Sequence, residues 1–268
     1  RVSDAEVIIF AGGISPRLEG EEMRVDFPGF RGGDRTNIEM PEVQRNLLKA
    51  LKATGKPVVF VLCAGSAMAV TWENENLDAI LNAWYAGQEG GTAVADVLFG
   101  DYNPAGRLPV TFYTSVDQIP DFEDYNMNKG RTYRYFQGKP LYPFGYGLSY
   151  STFRYSRLKS PKLVKTGGIV PVSITMKNDG TRDGDEVVQV YIRNLQDTEG
   201  PIQSLRAFRR VAVKAGKTAK VQFELTPESF EFYDPSTKSM KVKPGNYEIL
   251  IGGSSDNLTL HPLKVVLK

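Results

Sequence analysis

The pattern of apolar residues changes once along this chain, and the change limits the fold to two unlike parts. In the first half, short apolar runs at residues 5–10 and 57–62 alternate with segments of helical periodicity. In the second half, strand-like segments follow one another between turn sequences. Strands alternating with helices indicate a covered, mostly parallel sheet, whereas successive strands indicate an antiparallel domain. The sequence therefore predicts an α/β domain followed by an all-β domain.

One helix of the first half is marked at both ends. Pro41 opens it, and the Gly and Pro of residues 55–57 supply stop signals. Its apolar positions recur at helical spacing and are Val43, Leu47, Leu48 and Leu51. A further strand is predicted within residues 77–86 and a short helix at residues 92–99.

The second half contains a series of short predicted strands. They cover residues 152–158, 170–177, 186–193, 205–213, 219–225, 239–242, 245–251 and 263–267. About seven or eight strands over roughly 115 residues are typical of an immunoglobulin-like or fibronectin-like sandwich. The single cysteine leaves no disulfide to staple the sheets, which favours the fibronectin type III-like form. We predict an α/β domain at residues 1–117, a Pro/Gly/Tyr-rich linker at 118–150 and the sandwich at 151–268.

Composition excludes several kinds of chemistry. Lys and Arg number 33 against 31 for Asp and Glu, a net charge of +2, so no nucleic-acid or membrane partner is expected. One Cys and one His cannot form a Cys/His zinc site. The glycine pair at residues 12–13 lacks the spacing of a nucleotide-binding loop. We therefore expect no metal and no cofactor, and proton transfer falls to carboxylates.

Residues 14–38 hold most of the candidate functional side chains. They follow the first predicted strand without periodicity, so we expect a long loop beyond the carboxyl end of a strand, where α/β proteins bind ligands. Three carboxylates share four positions there: Glu19, Glu21 and Glu22. Crowded like charges can keep one of them protonated as a general acid. The alternative is a solvated acidic loop neutralised by Arg17 and Arg24.

Six stretches of the sequence resemble one known family. Among them are Gly-Ile-Ser-Pro-Arg-Leu-Glu-Gly-Glu at residues 13–21 and Gly-Asp-Arg-Thr-Asn-Ile-Glu-Met-Pro at residues 33–41. The others lie at residues 84–91, 100–109, 132–135 and 142–150. Together they are similar to glycoside hydrolase family 3, especially its β-xylosidase and β-glucosidase members. The resemblance covers nearly the whole chain and implies the same two-part fold.

The resemblance also implies a chemistry. Members are retaining exo-acting β-glycosidases, in which an aspartate attacks the anomeric carbon and a glutamate about 5 Å away protonates the leaving oxygen. Matching the motif places this acid/base at Glu21, with Glu19 the nearest alternative and Glu22 third. Asp34 and Arg35 would meet substrate hydroxyls or order the loop. The expected substrate is an oligosaccharide or aryl β-glycoside.

In this family the nucleophile lies on an N-terminal (β/α)8 barrel, which these residues do not contain. The chain is therefore expected to be a C-terminal fragment that is inactive without the barrel. The family's habits imply a periplasmic or secreted location. A noncatalytic carbohydrate-binding or scaffold module is the alternative function, indicated by the sandwich and by the aromatic bridge.

Overall fold

A computed structural model describes residues 2–19, 25–32, 34–256 and 258–266. The chain forms two compact units, each assembled from separate segments. Unit 1 comprises Arg1–Tyr102, Phe112–Asp121 and Gly138–Tyr142. Unit 2 comprises Asn103–Thr111, Phe122–Gln137 and Pro143–Lys268. Residues 118–150, predicted as a linker, are thus shared between the units.

Unit 1 is built around a parallel sheet, as the sequence predicts. Its elements are β1 (Ile8–Gly13), α1 (Pro16–Glu19), β2 (Phe30–Arg31), β3 (Asp34–Arg35), α2 (Glu42–Lys52), β4 (Val58–Cys63), α3 (Thr71–Asn76), β5 (Ala79–Asn82), α4 (Gly90–Phe99) and a 3-10 turn at Val116–Gln118. The strands lie in the order β1–β4–β5, and both pairings are parallel. The buried run along β4 explains why this central strand reads as continuously apolar.

The core of unit 1 lies between the sheet and α2. Phe60 of β4 and Leu48 of α2 are fully buried there, and Leu51 packs against the same cluster. The predicted apolar face of α2 is wrong at two positions, because Val43 and Leu47 are exposed. The helix packs on the sheet through the Leu48 side, and Val43 and Leu47 point away from this core.

The two tryptophans of the chain both belong to unit 1. Trp72 of α3 packs against the core, and the ammonium of Lys49 lies 5.7 Å from its ring centroid. Trp84, which follows β5, meets Phe112 edge to face at 6.1 Å. Both indoles therefore pack within the unit.

Unit 2 is a β-sandwich, which confirms the predicted all-β fold. Its elements are α5 (Thr132–Tyr135), β6 (Phe153–Lys159), β7 (Leu163–Lys165), β8 (Val170–Asn178), β9 (Gly184–Asn194), β10 (Ser204–Val213), β11 (Thr218–Leu225), a 3-10 turn at Pro227–Phe230, β12 (Glu231–Asp234), β13 (Ser239–Val242), β14 (Gly245–Gly252) and β15 (Thr259–Val266). One sheet has the order β10–β9–β14–β15–β7 and the other β11–β8–β6, while β12 and β13 form a separate pair.

Alternating burial along the strands forms the sandwich core. On β8, every second residue from Val170 to Met176 is buried. Residues from the other sheet, such as Val190 and Ile249, belong to the same buried cluster. On β8 this period of two places one face of the strand in the core, whereas β9 and β14 also contain runs of consecutive buried residues.

Asn103, in the motif of residues 100–109, joins separate segments within unit 2. Its side-chain amide oxygen accepts hydrogen bonds from Ser149 Oγ and from the Tyr150 amide, each at 2.8 Å. Its amide nitrogen donates to Ser151 Oγ at 3.1 Å and to the Asp183 carbonyl at 2.9 Å. This asparagine therefore uses its donors and its acceptor to order the approach to the sandwich.

Candidate active-site loop

The loop that follows β1 begins at a tightly held glycine. The Gly13 amide donates to Gln44 Oε1 at 2.8 Å, and Gln44 Nε2 donates back to the Gly13 carbonyl at 2.7 Å. Gly13 has a φ of 138°, and a Cβ there would lie 1.9 Å from the carbonyl oxygen of Cys63. Only glycine fits this backbone, so the loop leaves the carboxyl edge of the sheet from a fixed point.

The next residues join two loops at that edge. Ile14 is buried, and its carbonyl accepts a hydrogen bond from Tyr85 Oη at 2.6 Å. Tyr85 follows β5, so the chain after β1 is tied to the chain after β5. Ser15 Oγ then accepts from the Leu18 amide at 3.2 Å and starts the single turn of α1.

The predicted acid/base residues follow this turn. Glu19 is the last residue of α1. Glu21 and Glu22 lie outside the described residues, and so does Arg24. The assignment among Glu19, Glu21 and Glu22 therefore stays a prediction. Glu19 follows the Gly13 anchor by six positions in the sequence.

The loop returns through a short hairpin made by β2 and β3. Arg35 donates to Ser66 Oγ at 3.3 Å, to Met68 Sδ at 3.0 Å and to the Glu39 carbonyl at 3.2 Å. These contacts tie the hairpin to the segment that follows β4. Asp34 is exposed, as expected for the neighbouring position on a strand, whose side chain points to the opposite face.

An ion cluster around Arg45 of α2 holds the same region. Arg45 Nε lies 2.9 Å from Glu73 Oε1, and a terminal nitrogen lies 2.5 Å from Glu39 Oε2. Another nitrogen donates to the Ala69 carbonyl at 3.2 Å. Burial lowers the pKa of Arg45, but hydrogen bonds and charge interactions with Glu73 and Glu39 raise it by more. The cluster pairs the fully buried side chain of Glu73 with a cation.

Sequence reasoning missed Gln44, Arg45 and Tyr85. Tyr85 stands within the motif at residues 84–91, which was a usable signal. Gln44 and Arg45 carry no local signal, because each acts on a segment far away in sequence. Gln44 and Gly13, for example, are separated by 31 positions.

The arrangement supports carboxylate chemistry on an anchored loop. Its two ends are held by the contacts of Gly13 and Arg35, and Gly13 lies at the sheet edge where α/β proteins bind ligands. Within the described ranges, no group of three His, Cys, Asp or Glu side chains is placed to hold a metal ion. No helix in the described part of the chain is long and apolar enough to span a membrane.

Comparison with family models agrees with this architecture. Residues 1–150 match the glycosyl hydrolase family 3 C-terminal domain, and residues 186–255 match a fibronectin type III-like domain. A chain with these two parts in this order is of the glycoside hydrolase class. It belongs to glycoside hydrolase family 3.

Individual relatives extend the similarity over almost the whole chain. A xylan 1,4-β-xylosidase from Xylanibacter ruminicola is 58% identical over 97% of the chain, and a periplasmic β-glucosidase from Salmonella typhimurium is 42% identical over 82%. The chain spans about 30% of the length of these two relatives. Among solved structures, a β-glucosidase from Erythrobacter marinus matches 99% of the chain, with 36% identity and a TM-score of 0.85, and the match covers 35% of that protein.

Proposed function

We propose that this chain supplies the general acid/base of a retaining exo-acting β-glycosidase of the β-xylosidase or β-glucosidase type. Glu21 carries the role, Glu19 is the nearest alternative and Glu22 the third. The nucleophile is an aspartate on a (β/α)8 barrel outside these 268 residues. The substrate is an oligosaccharide or aryl β-glycoside. A periplasmic or secreted location is part of the proposal, supported by the relative named as a periplasmic β-glucosidase.

The observation that carries this proposal is the double anchoring of the loop. A general acid acts only when its oxygen stands within hydrogen-bond reach of the leaving oxygen, about 2.6–3.2 Å. The clamp of Gln44 on Gly13 holds one end of the loop, and the contacts of Arg35 hold the other. An acidic segment between two such anchors can be placed reproducibly against a bound sugar.

The proposed reaction has two steps. In the first, the aspartate forms a bond to the anomeric carbon while the glycosidic bond breaks, and Glu21 gives its proton to the departing oxygen. In the second, the glutamate accepts a proton from water, whose oxygen bonds to the anomeric carbon as the bond from that carbon to the aspartate breaks and the sugar is released. Crowding of the three glutamates favours the protonated form that the first step needs.

Asp34 and Arg35 complete the proposed site in different ways. Asp34 is exposed at the hairpin, so its carboxylate can accept hydrogen bonds from sugar hydroxyls. Arg35 acts as a positioning residue, because its contacts with Ser66, Met68 and Glu39 fix the hairpin that presents Asp34.

The test compares aryl glycosides with good and poor leaving groups in the full-length enzyme. Glu21→Ala is expected to reduce kcat/KM by about 100-fold or more for poor leaving groups, and far less for good ones, since only the former need proton donation. Azide, which needs no general base, is expected to restore turnover with good leaving groups. Glu75→Ala, an exposed glutamate of α3, is the matched control and should leave both substrates unaffected.

The same measurements on Glu19→Ala and Glu22→Ala decide among the three candidates. If Glu21→Ala slows both leaving-group classes equally and azide restores nothing, Glu21 is not the acid/base. If that signature belongs to Glu19→Ala instead, the role moves to Glu19.

A further inference from the structure

A cleft in unit 2 is lined by two arginine side chains. It has a volume of about 630 Å³. The lining residues that matter here are Tyr133, Arg134, Tyr135, Ser204, Arg206 and Phe232. All of them belong to unit 2, and they come from α5, β10 and β12.

Both arginines are presented by irregular backbone. Thr132, which begins the turn that carries Arg134, has a φ of 60°, a strained conformation for a β-branched residue. Arg206 stands where the pairing of β10 with β9 shifts register between Leu205 and Ala207. Such bulges re-aim a side chain, and both bulges and backbone strain concentrate at functional sites.

The turn is fixed firmly to the sandwich. The Leu205 amide donates to Tyr133 Oη at 3.0 Å, and the Ile202 amide donates to the Arg134 carbonyl at 2.6 Å. The Tyr133 ring stacks on Phe144 with centroids 4.3 Å apart. The position of Arg134 is therefore set by packing, which indicates a preformed arrangement.

Neither arginine forms an ion pair among the described residues. The Arg134 guanidinium lies 5.6 Å from the Tyr135 ring centroid, and that of Arg206 lies 5.3 Å from the Phe232 ring centroid. The Nε atoms of both arginines and the hydroxyl of Ser204 are buried without a hydrogen-bond partner in the described part of the chain. Ser204 itself is only 5% exposed.

The positive charges of Arg134 and Arg206 also repel each other. Burial lowers the pKa of Arg206, and the nearby charge of Arg134 lowers it further, while Tyr133 and Glu231 raise it. Two neighbouring guanidinium groups without a paired anion are costly in a partly buried place. One terminal nitrogen of Arg206 donates to the Glu231 carbonyl at 2.6 Å, and a bound anion between the two guanidinium groups would remove the remaining cost.

We propose that this cleft binds a carboxylate, and that its ligand is a uronic acid residue of an oligosaccharide. An arginine guanidinium can donate two parallel hydrogen bonds to the two oxygens of a carboxylate. The Ser204 hydroxyl adds a third donor. The half-buried ring of Tyr135 offers an apolar face to the C–H surface of a sugar. The choice of a sugar acid rests on the proposed function, whereas the carboxylate site stands without it.

The other charged side chains of the cleft favour a ligand with a single negative charge over a ligand with two. Asp197, Glu199 and Glu231 also line it, beside Lys243. Their oxygens can accept hydrogen bonds from sugar hydroxyls. They also repel a dianion more strongly than a singly charged carboxylate, which makes phosphate the poorer ligand.

The test is calorimetric titration of the 268-residue chain with a xylo-oligosaccharide that carries one glucuronic acid, and with the neutral oligosaccharide of the same length. The acidic sugar is expected to bind at least tenfold more tightly, with an affinity that falls as salt is added. Arg134→Gln should weaken its binding at least tenfold, and Arg134→Lys should lie between, because lysine keeps the charge without the fork.

Arg209→Gln is the matched control. Arg209 also lies on β10, with its guanidinium 5.4 Å from the Phe223 ring centroid, but it does not line the cleft. Its replacement should leave the affinity unchanged. Circular dichroism reports whether each variant folds, and Arg206→Gln provides a second test if Arg134→Gln does not fold.

Equal affinity for the acidic and neutral sugars would overturn the proposal, and so would equal losses in Arg134→Gln and Arg209→Gln. Inorganic phosphate that binds the cleft as tightly as glucuronate would overturn the assignment to carboxylates. Free glucuronate is a further ligand in the same titration. If it binds through Arg134 as tightly as the acidic oligosaccharide, the carboxylate site is supported, but the assignment of an oligosaccharide as the ligand is overturned. Because the titration needs no turnover, a negative result here leaves the Glu21 test intact, and a negative Glu21 test leaves this one intact.

Discussion

Glu186 is a carboxylate almost fully buried in unit 2, and Arg107 is its partner. The closest atoms, Arg107 NH2 and Glu186 Oε2, are 3.0 Å apart, and the side chains are only 9% and 6% exposed. Burial raises the pKa of Glu186, while the charge and hydrogen bond of Arg107 lower it. The arginine of the motif at residues 100–109 therefore keeps a buried charge compensated, which local sequence patterns could not reveal.

Arg107→Met is expected to lower the free energy of unfolding of unit 2 by about 3–5 kcal/mol, because it leaves a buried carboxylate unpaired. Without the guanidinium, burial raises the pKa of Glu186 further, so the folded state holds a proton that the unfolded state releases. The decrease in the free energy of unfolding should therefore be largest at neutral pH and become smaller as the pH falls toward about 4. Urea unfolding at several pH values measures it.

The matched control is Arg107→Met combined with Glu186→Leu. This pair removes both charges, and most of the stability should return. A loss below about 1 kcal/mol in Arg107→Met alone, with no dependence on pH, would contradict the role assigned to the pair.

At the scale of elements, periodicity predicted the strands well and the orientation of α2 only in part. The helix begins where Pro41 predicts, yet the apolar stripe is divided between the core and the surface. Local pattern states which residues are apolar, but tertiary packing decides which of them a sheet covers. Short elements were missed, among them α3, β7 and β12, because three to six residues carry too little periodicity to recognise.

Two adjacent leucines of α2 test the orientation of the helix. Leu48→Ala is expected to cost about 2–5 kcal/mol, because the fully buried side chain leaves a cavity. Leu47→Ala, at 48% exposure, should cost less than about 1 kcal/mol. Chemical unfolding of both variants gives the comparison, and equal losses would show that the helix packs differently.

The candidate site was predictable only in outline. The acidic loop could be found from its place after a strand and from its charges, which are local properties. Its anchors could not, since the contact of Gln44 with Gly13 and that of Tyr85 with Ile14 join positions 31 and 71 apart. Such contacts exist only once the parallel sheet has brought its carboxyl ends together.

At the scale of the whole molecule, the proposal assigns one of the two reacting carboxylates to this chain and the other to residues outside it. It spans about 30% of the length of the relatives named above. Proton donation without a nucleophile cannot form the glycosyl-enzyme intermediate. The described units supply an anchored loop and a sandwich.

We therefore expect the purified 268-residue chain to show no detectable hydrolysis of aryl β-xylosides or aryl β-glucosides. The full-length enzyme, assayed at equal molar concentration, is the positive control. Release of the aryl group, followed by absorbance, is the measurement. Steady turnover by the chain that Glu21→Ala abolishes would show that both catalytic groups lie within these residues.

The packing of both indoles in one unit has a practical consequence. Because Trp72 and Trp84 belong to unit 1, tryptophan emission reports on that unit alone, whereas the tyrosines are divided between both units. A chain of two units need not melt in a single cooperative step. A change in tryptophan emission during thermal unfolding therefore shows when unit 1 unfolds, and circular dichroism of the whole chain shows whether the rest unfolds with it.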